Sequence, residues 1–366
     1  MKAVCKKEVL QKALEIAVRI ASRHHTLPVL QGVYLEAKAN VLEIRATNLE
    51  IGLIIKIPAD ITKEGVTTVS AQTLLQTISL LSNSTLTLTL SGESLLVESD
   101  RSKSKLKVFT TLDFPTISRV EGKGVVVDGA QLSYGIKSVV FAASQSAIKP
   151  ELGAVYLYQR KPHSITLVAT DSFRLAEKTI STDTLTLEHG VLIPQKNALE
   201  IARTIDATGE SPSVVITENQ IAFTFPSGVY LVSRLIEGNF PDYEQIIPKE
   251  YQAHAVVLLK DFEHALRKTN IFTNKFMQVS LDVKLNDHSI IFKSENAEAG
   301  MTEEGVRAAG EGSELLLSFN QQYLMESLGH ISADSIDISF GGIGRPMVVT
   351  GHDDKNFRYL VMPMNK

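Results

Sequence analysis

Hydrophobic and polar positions alternate along much of this chain. Residues 85–90 read Thr-Leu-Thr-Leu-Thr-Leu, the two-residue period of a strand with one face buried. Residues 94–98, 214–217, 221–225, 229–234, 278–283 and 335–340 behave similarly. Turn formers separate them: Ser91-Gly92-Glu93, Glu218-Asn219-Gln220, Asn286-Asp287 and Gly341-Gly342. Helical periodicity marks 1–25 (with a preceding strand), 70–82, 131–149, 194–206, 261–275 and 318–332. Strands outnumber helices and the turns have hairpin length, which predicts mainly antiparallel sheets with helices on one face, an α+β class.

The pattern then repeats. Residues 42–50 (LEIRATNLE), 165–174 (ITLVATDSFR) and 290–298 (IIFKSENAE) place Asn48, Asp171 and Asn296 at strides of 123 and 125. The helical segment from Leu10 realigns with that from Leu132, and Phe262 opens a looser third copy. Phe114-Pro115, Phe240-Pro241 and Met362-Pro363 recur at 126 and 122. Solenoid units run to about 20–50 residues, so these are domain-sized copies, each with two helices and about eight strands arranged as two βαβββ halves. Polar connectors Glu121-Gly122-Lys123-Gly124 and Pro248-Lys249-Glu250 predict domains at 1–121, 122–248 and 249–366.

Composition is that of an ordinary globular chain, 44% hydrophobic and 21% charged, and no apolar run approaches the ~20 residues of a membrane span. The start, Met1-Lys2-Ala3-Val4-Cys5-Lys6-Lys7, lacks a signal-peptide core, and one cysteine permits no internal disulfide; both fit a cytoplasmic protein. Cys5 reads as a small apolar residue in an opening strand. The net charge of −4 hides a segregation: the six helical segments hold 13 Lys and Arg against 7 Asp and Glu. Positive helices beside negative strands and loops suggest one basic and one acidic surface.

Catalytic chemistry is not evident. No phosphate loop, CxxC pair, HExxH or nucleophile elbow occurs, and no metal or cofactor is expected. Gly341–Arg345 is glycine-rich but opens no helix, so a hairpin turn is the expectation. His24-His25 precede Leu27-Pro28 as a loop, and Asp171 in Thr170–Arg174 suits a turn that accepts backbone N–H groups. Two features remain open. Met362-Pro363-Met364 before Asn365-Lys366 fits a tail tucked into its own domain or an adaptable apolar surface for partner segments. Arg101, Lys103 and Lys105 around Leu106 in the first copy oppose Glu298, Glu303 and Glu304 in the third, as a head-to-tail contact between chains would use.

Residues 170–176 (TDSFRLA), 235–243 (LIEGNFPDY), the terminal Val361-Met362-Pro363-Met364 and the early Thr26-Leu27-Pro28-Val29-Leu30 together resemble the bacterial DNA polymerase III β subunit, the sliding clamp, over the whole chain. The resemblance implies three tandem DNA-clamp domains, with antiparallel sheets outside and helices lining a channel. It implies a head-to-tail homodimeric ring, with no catalysis of its own, that encircles double-stranded DNA without sequence preference. Its implied partners are the DNA polymerase III α subunit, the clamp-loader δ subunit and other proteins with clamp-binding motifs. The implied docking cleft between the second and third domains takes Leu152, Thr170, Ser172, Arg174, Leu175, Pro241, Ile246, Arg345, Pro346, Leu360, Met362, Pro363 and Met364. For DNA it points to Arg23, His24 and the loop 145–149, that is Gln145 and Lys149; phosphate contacts by Lys137, Lys196, Arg203 and Lys268 follow from the basic helices. At the seam, Ile271 and Phe272 would add apolar contact. The chain departs from the family in having Ser172-Phe173 where Gly-His is common, Asn365-Lys366 at its end, and His24 where arginine is common. A rival expectation is a monomeric three-domain scaffold that binds peptides; an enzyme is the remote third.

Overall fold

The computed structural model describes residues 1–21, 27–82, 84–146 and 148–364. Each third of the chain contributes two helices: α1 (Lys7–Ile20) and α2 (Ala71–Ser79), α3 (Gly129–Val140) and α4 (Gln195–Thr208), α5 (Leu259–Asn270) and α6 (Gln321–Leu328). In α1 the buried Leu10, Ala13, Leu14, Ala17 and Ile20 form a single stripe, the 3.6-residue period that seats a helix on a sheet. Side chains cap three helices: Ser70 accepts from the Thr73 N–H, Asp128 from Gln131 and Asn320 from Tyr323.

Several helical segments are shorter than their periodicity suggested: 70–82 narrows to Ala71–Ser79 and 261–275 ends at Asn270. The segment 131–149 stops at Val140 because the N–H groups of Ala142 and Ala143 turn back to Val139 and Val140, and Ser144 bonds Leu152 across the loop. Residues 318–320 belong to the strand Leu315–Asn320, so α6 starts at Gln321. The observed helix bounds, which leave Lys2, Lys6, Lys149 and Lys275 outside, correct the charge reading. The six helices hold nine Lys and Arg against seven Asp and Glu, so much of the positive excess lies in flanking strands and loops.

The described strands form two antiparallel sheets, of 13 and 12 strands. The chain divides into two compact units, Met1–Ser133 with Lys196–Leu235, and Tyr134–Gln195 with Ile236–Lys366. Each sheet belongs to one unit and carries three of the six half-repeats. Within each sheet one repeat is zipped to the next. In the first, Val229–Arg234 pairs with Ile51–Pro58, Ser233 facing Ile51 and Val232 facing Gly52. In the second, Phe357–Val361 pairs with Arg174–Ser181, Val361 facing Arg174 and Leu360 facing Leu175. The three polar landmarks of the repeat accept the same pair of N–H groups, two and three residues further on. Asn48 accepts the N–H groups of Glu50 and Ile51, Asp171 those of Phe173 and Arg174, and Asn296 those of Glu298 and Ala299. The glycine-rich run at 341–345 is a hairpin turn between Ser335–Phe340 and Met347–Gly351.

Candidate functional site

The hairpin between Ser164–Thr170 and Arg174–Ser181 organises the candidate cleft. The Thr170 hydroxyl donates to the Arg174 carbonyl at 2.6 Å and receives the Ser172 N–H, while Asp171 closes the turn. Ser172 is thereby held at φ 79°, a left-handed conformation that disfavours any side chain and suits the glycine common here in the family it resembles. Phe173 stands 63% exposed at the rim. Its carbonyl accepts the Met362 N–H at 2.8 Å, and the Met364 N–H bonds Ser318 at 2.7 Å. Backbone bonds thus hold the tail beyond the last strand, with Met362, Pro363 and Met364 half-buried.

Below the rim, Leu175 and Leu360 join Val168, Tyr243 and Val348 in one apolar cluster flanked by Tyr156, Tyr158, Phe240 and Ile247. Leu152 and Thr170 are buried, Pro241 and Ile246 exposed, Pro346 buried and Arg345 exposed. Sequence reasoning missed Val348, Phe240, Tyr243 and the tyrosine pair. The Phe-Pro landmark two residues before Tyr243 was the available signal. Tyr243 is fixed from below: its hydroxyl donates to buried Glu177 and lies 2.8 Å from that of Tyr158. Arg358 and Arg160 approach Glu177 at 3.3 and 3.6 Å, and Arg160 also pairs with Glu244. Burial, and then the Glu177 charge, push the Tyr243 phenol far above its ordinary pKa, so it stays protonated: its one proton goes to Glu177, and it accepts from the Tyr158 hydroxyl.

Arg174 is not a free cationic group in the cleft. Its side chain is 10% exposed and binds Asp171 at 3.0 Å, Glu326 and the Phe141 carbonyl at 2.8 Å. Its guanidinium lies 4.2 Å over the Tyr323 ring.

The opposed charged segments lie on strands with an unused edge. Ser102–Phe109 pairs with Ser94–Ser99 along residues 102–107, and on its other side meets a strand only at Val108 and Phe109. Gly300–Gly312 pairs with Ser289–Asn296 along residues 300–307, and with Ala253–Leu258 only from Ala308 onward. Among the described residues, nothing pairs with the outer edges of 102–107 and 300–307. Lys103 and Lys105 are exposed but Leu106 is buried in its own unit. Arg101 and Glu298 are exposed. Glu304 is paired with Lys268 at 2.9 Å and Glu303 with Lys293 at 3.4 Å. Ile271 is 70% exposed and Phe272 half-buried.

Of the basic DNA candidates, Arg23 and His24 lie outside the described residues, as do Asn365 and Lys366. Gln145, Lys149 and Lys196 are exposed, and Lys137 is half-buried on α3. Arg203 pairs with Glu200 at 2.6 Å, and Lys268 with Glu304 as above, so part of the expected cationic set is already partnered. No group of three or more His, Cys, Asp or Glu among the described residues could hold a metal ion, and no helix is long and apolar enough to cross a membrane.

Family profiles for the DNA polymerase III beta subunit match end to end: the N-terminal domain over residues 1–118, the central domain over 126–242 and the C-terminal domain over 244–365. The beta sliding clamp of Pseudomonas aeruginosa is 28% identical over 364 residues, covering 98% of each chain. The crystal structure of the DNA polymerase III subunit beta from that organism superposes with a TM-score of 0.90 at 27% identity, covering 100% of both chains. The beta subunit from Thermotoga maritima, at 24% identity, shares the fold with a TM-score of 0.93 over 100% of this chain and 99% of its own.

Proposed function

The chain belongs to the DNA polymerase III beta subunit family, the sliding clamps, and from that premise we propose that two copies close head to tail into a ring around duplex DNA and tether polymerase through the cleft at Leu175, Leu360 and Met362. One observation carries the ring. Both internal junctions zip the last strand of one repeat onto the strand that follows the Asn/Asp turn of the preceding repeat. The first repeat's last strand and the third repeat's post-turn strand are left over, and a second copy supplies each with its partner. Unused strand edges are otherwise a liability.

The first internal junction also gives a register for this contact. Ser233 precedes Pro241 by eight residues, as Lys107 precedes Pro115; Ile51 follows Asn48 by three, as Ala299 follows Asn296. Transferring the Ser233–Ile51 pairing sets Lys107 opposite the partner's Ala299, and hence Lys105 opposite Met301 and Lys103 opposite Glu303. In this reading the repeats 1–121, 122–248 and 249–366 are the domains, and six of them close the ring. Helices face the DNA, and Lys149 and Lys196 meet phosphates weakly and without sequence preference. The clamp is not a catalyst; it works in the cytoplasm, by raising the effective concentration of polymerase at its template.

Light scattering at micromolar concentration is expected to give about twice 40.1 kDa. Lys103→Glu, by placing like charges opposite each other at both seams, is expected to weaken the dimer by at least about tenfold. Adding Glu303→Lys should restore it. A monomer in the unmodified protein would overturn the ring.

A further inference from the structure

We infer that Arg174 is a positioning residue that never meets the docked peptide: it holds the cleft's rim in shape from the helical side. The inference rests on the docking reading above. All three guanidinium nitrogens are engaged, Nε with Asp171, Nη1 with Glu326 on α6 and Nη2 with the carbonyl of Phe141 just past α3. The guanidinium carbon also lies 4.2 Å over the ring of Tyr323 on α6, and the side chain is 10% exposed. Such a residue is poorly placed to offer a charge to a ligand, because each contact would have to be broken first.

It is well placed to fix the rim. Asp171 uses one carboxylate oxygen for Arg174 Nε and the other for the N–H groups of Phe173 and Arg174. The turn so held presents the Phe173 carbonyl to the Met362 N–H. Arg174, Asp171, Phe173 and Met362 therefore form one chain of contacts running from α3 and α6 to the apolar rim. The equivalent turns lack this device. Ile51 and Ala299 stand where Arg174 stands, and Asn48 and Asn296 replace Asp171. The second repeat alone ties its turn to the helices through an arginine.

The experiment compares Arg174→Met, Arg174→Lys, Asp171→Asn and Glu326→Gln with the unmodified chain. The probes are two fluorescent peptides, a relative's polymerase α-subunit clamp-binding segment and the same peptide with its acidic residues made amides. Because hydrogen bonds to charged groups are individually strong, both Arg174 variants should weaken both peptides equally, by about tenfold or more. Lysine cannot reproduce a three-way planar contact, so it should not rescue. Glu326→Gln and Asp171→Asn keep the side-chain shape and should weaken both peptides by a few-fold while shifting the Phe173 amide resonance. Three outcomes overturn the inference: loss confined to the acidic peptide, rescue by lysine, or unchanged affinity in both Glu326→Gln and Asp171→Asn. If the unmodified chain binds neither peptide, the docking reading itself falls, and the inference with it.

Discussion

The turns at Thr47–Ile51 and Thr170–Arg174 are two copies of one structure with opposite surfaces. In each the threonine hydroxyl donates to the carbonyl four residues on, and Asn48 or Asp171 gathers two N–H groups. Leu49 and Ser172 sit at φ 78° and 79°. Each turn then accepts an N–H from the end of the next repeat's last strand, Arg234 to Glu50 and Met362 to Phe173, both at 2.8 Å. The rim is thus Glu50 with Arg234 in one copy and Phe173 with Met362 in the other. Beneath it, Gly52 leaves room for Ile117, just after the first Phe-Pro landmark, whose Cγ2 would lie 2.8 Å from an added Cβ, where the second copy has Leu175. A cavity of about 300 Å³ beside the first turn is lined in part by Leu49, Glu50, Pro115 and Arg234. The fold supplies the turn twice, and a few side chains decide whether its rim is charged or apolar.

Giving the second copy the first one's rim is the strongest way to break this comparison. Phe173→Glu with Met362→Arg should cost peptide affinity about 2 kcal/mol or more, the scale of interface anchors, measured by calorimetry. Both sites are partly exposed, so the melting temperature should stay within a degree or two of the parent. Tyr243→Phe removes a donor from buried Glu177 and should destabilise the protein by about 1–3 kcal/mol in denaturant unfolding. Ser172→Gly and Leu49→Gly test whether both turns are held in a left-handed conformation. Each should be neutral or stabilising, by up to about 1 kcal/mol, whereas alanine at either position should give no such gain.

The smallest effect is a pH dependence in the second copy's surroundings. His330 stacks on Phe141 at 4.8 Å, and burial, then Lys178, lowers its pKa from the usual 6.5. Below that value the unfolded chain binds a proton that the folded chain resists. Stability should therefore be full above about pH 6.5 and fall as pH drops toward the lowered folded value. His330→Phe should flatten that slope in melts between pH 7 and 5; an unchanged slope would remove His330 as its source.

Much of this was legible in the sequence because it is local. Asn48, Asp171 and Asn296 declare their turns through spacing and residue type, and the Thr-Leu alternation at 85–90 is a strand in the structure. What was not legible depends on partners far along the chain. Periodicity could not show that α3 stops at Val140, because the stop depends on Leu152 across the loop. Leu106 sits in a charged segment, yet its side chain is core, as are Val232 and Leu360 on the last strands of the next two repeats. The resemblance implied Arg174 only as a member of the candidate cleft. Its ties to Phe141, Tyr323 and Glu326, up to 152 residues away, were not legible. The positive helices were overstated for a similar reason: hydrophobic period locates a helix but not its ends, and lysines just outside were counted within.

The central claim is enclosure, and the most direct measurement is retention on DNA before and after a single cut. Loaded by a clamp loader onto a closed circle, the protein should stay bound through gel filtration in high salt, where direct phosphate contacts are screened. It should leave when the circle is linearised. Equal retention on circular and linear DNA, or loss from both at high salt, would contradict a ring.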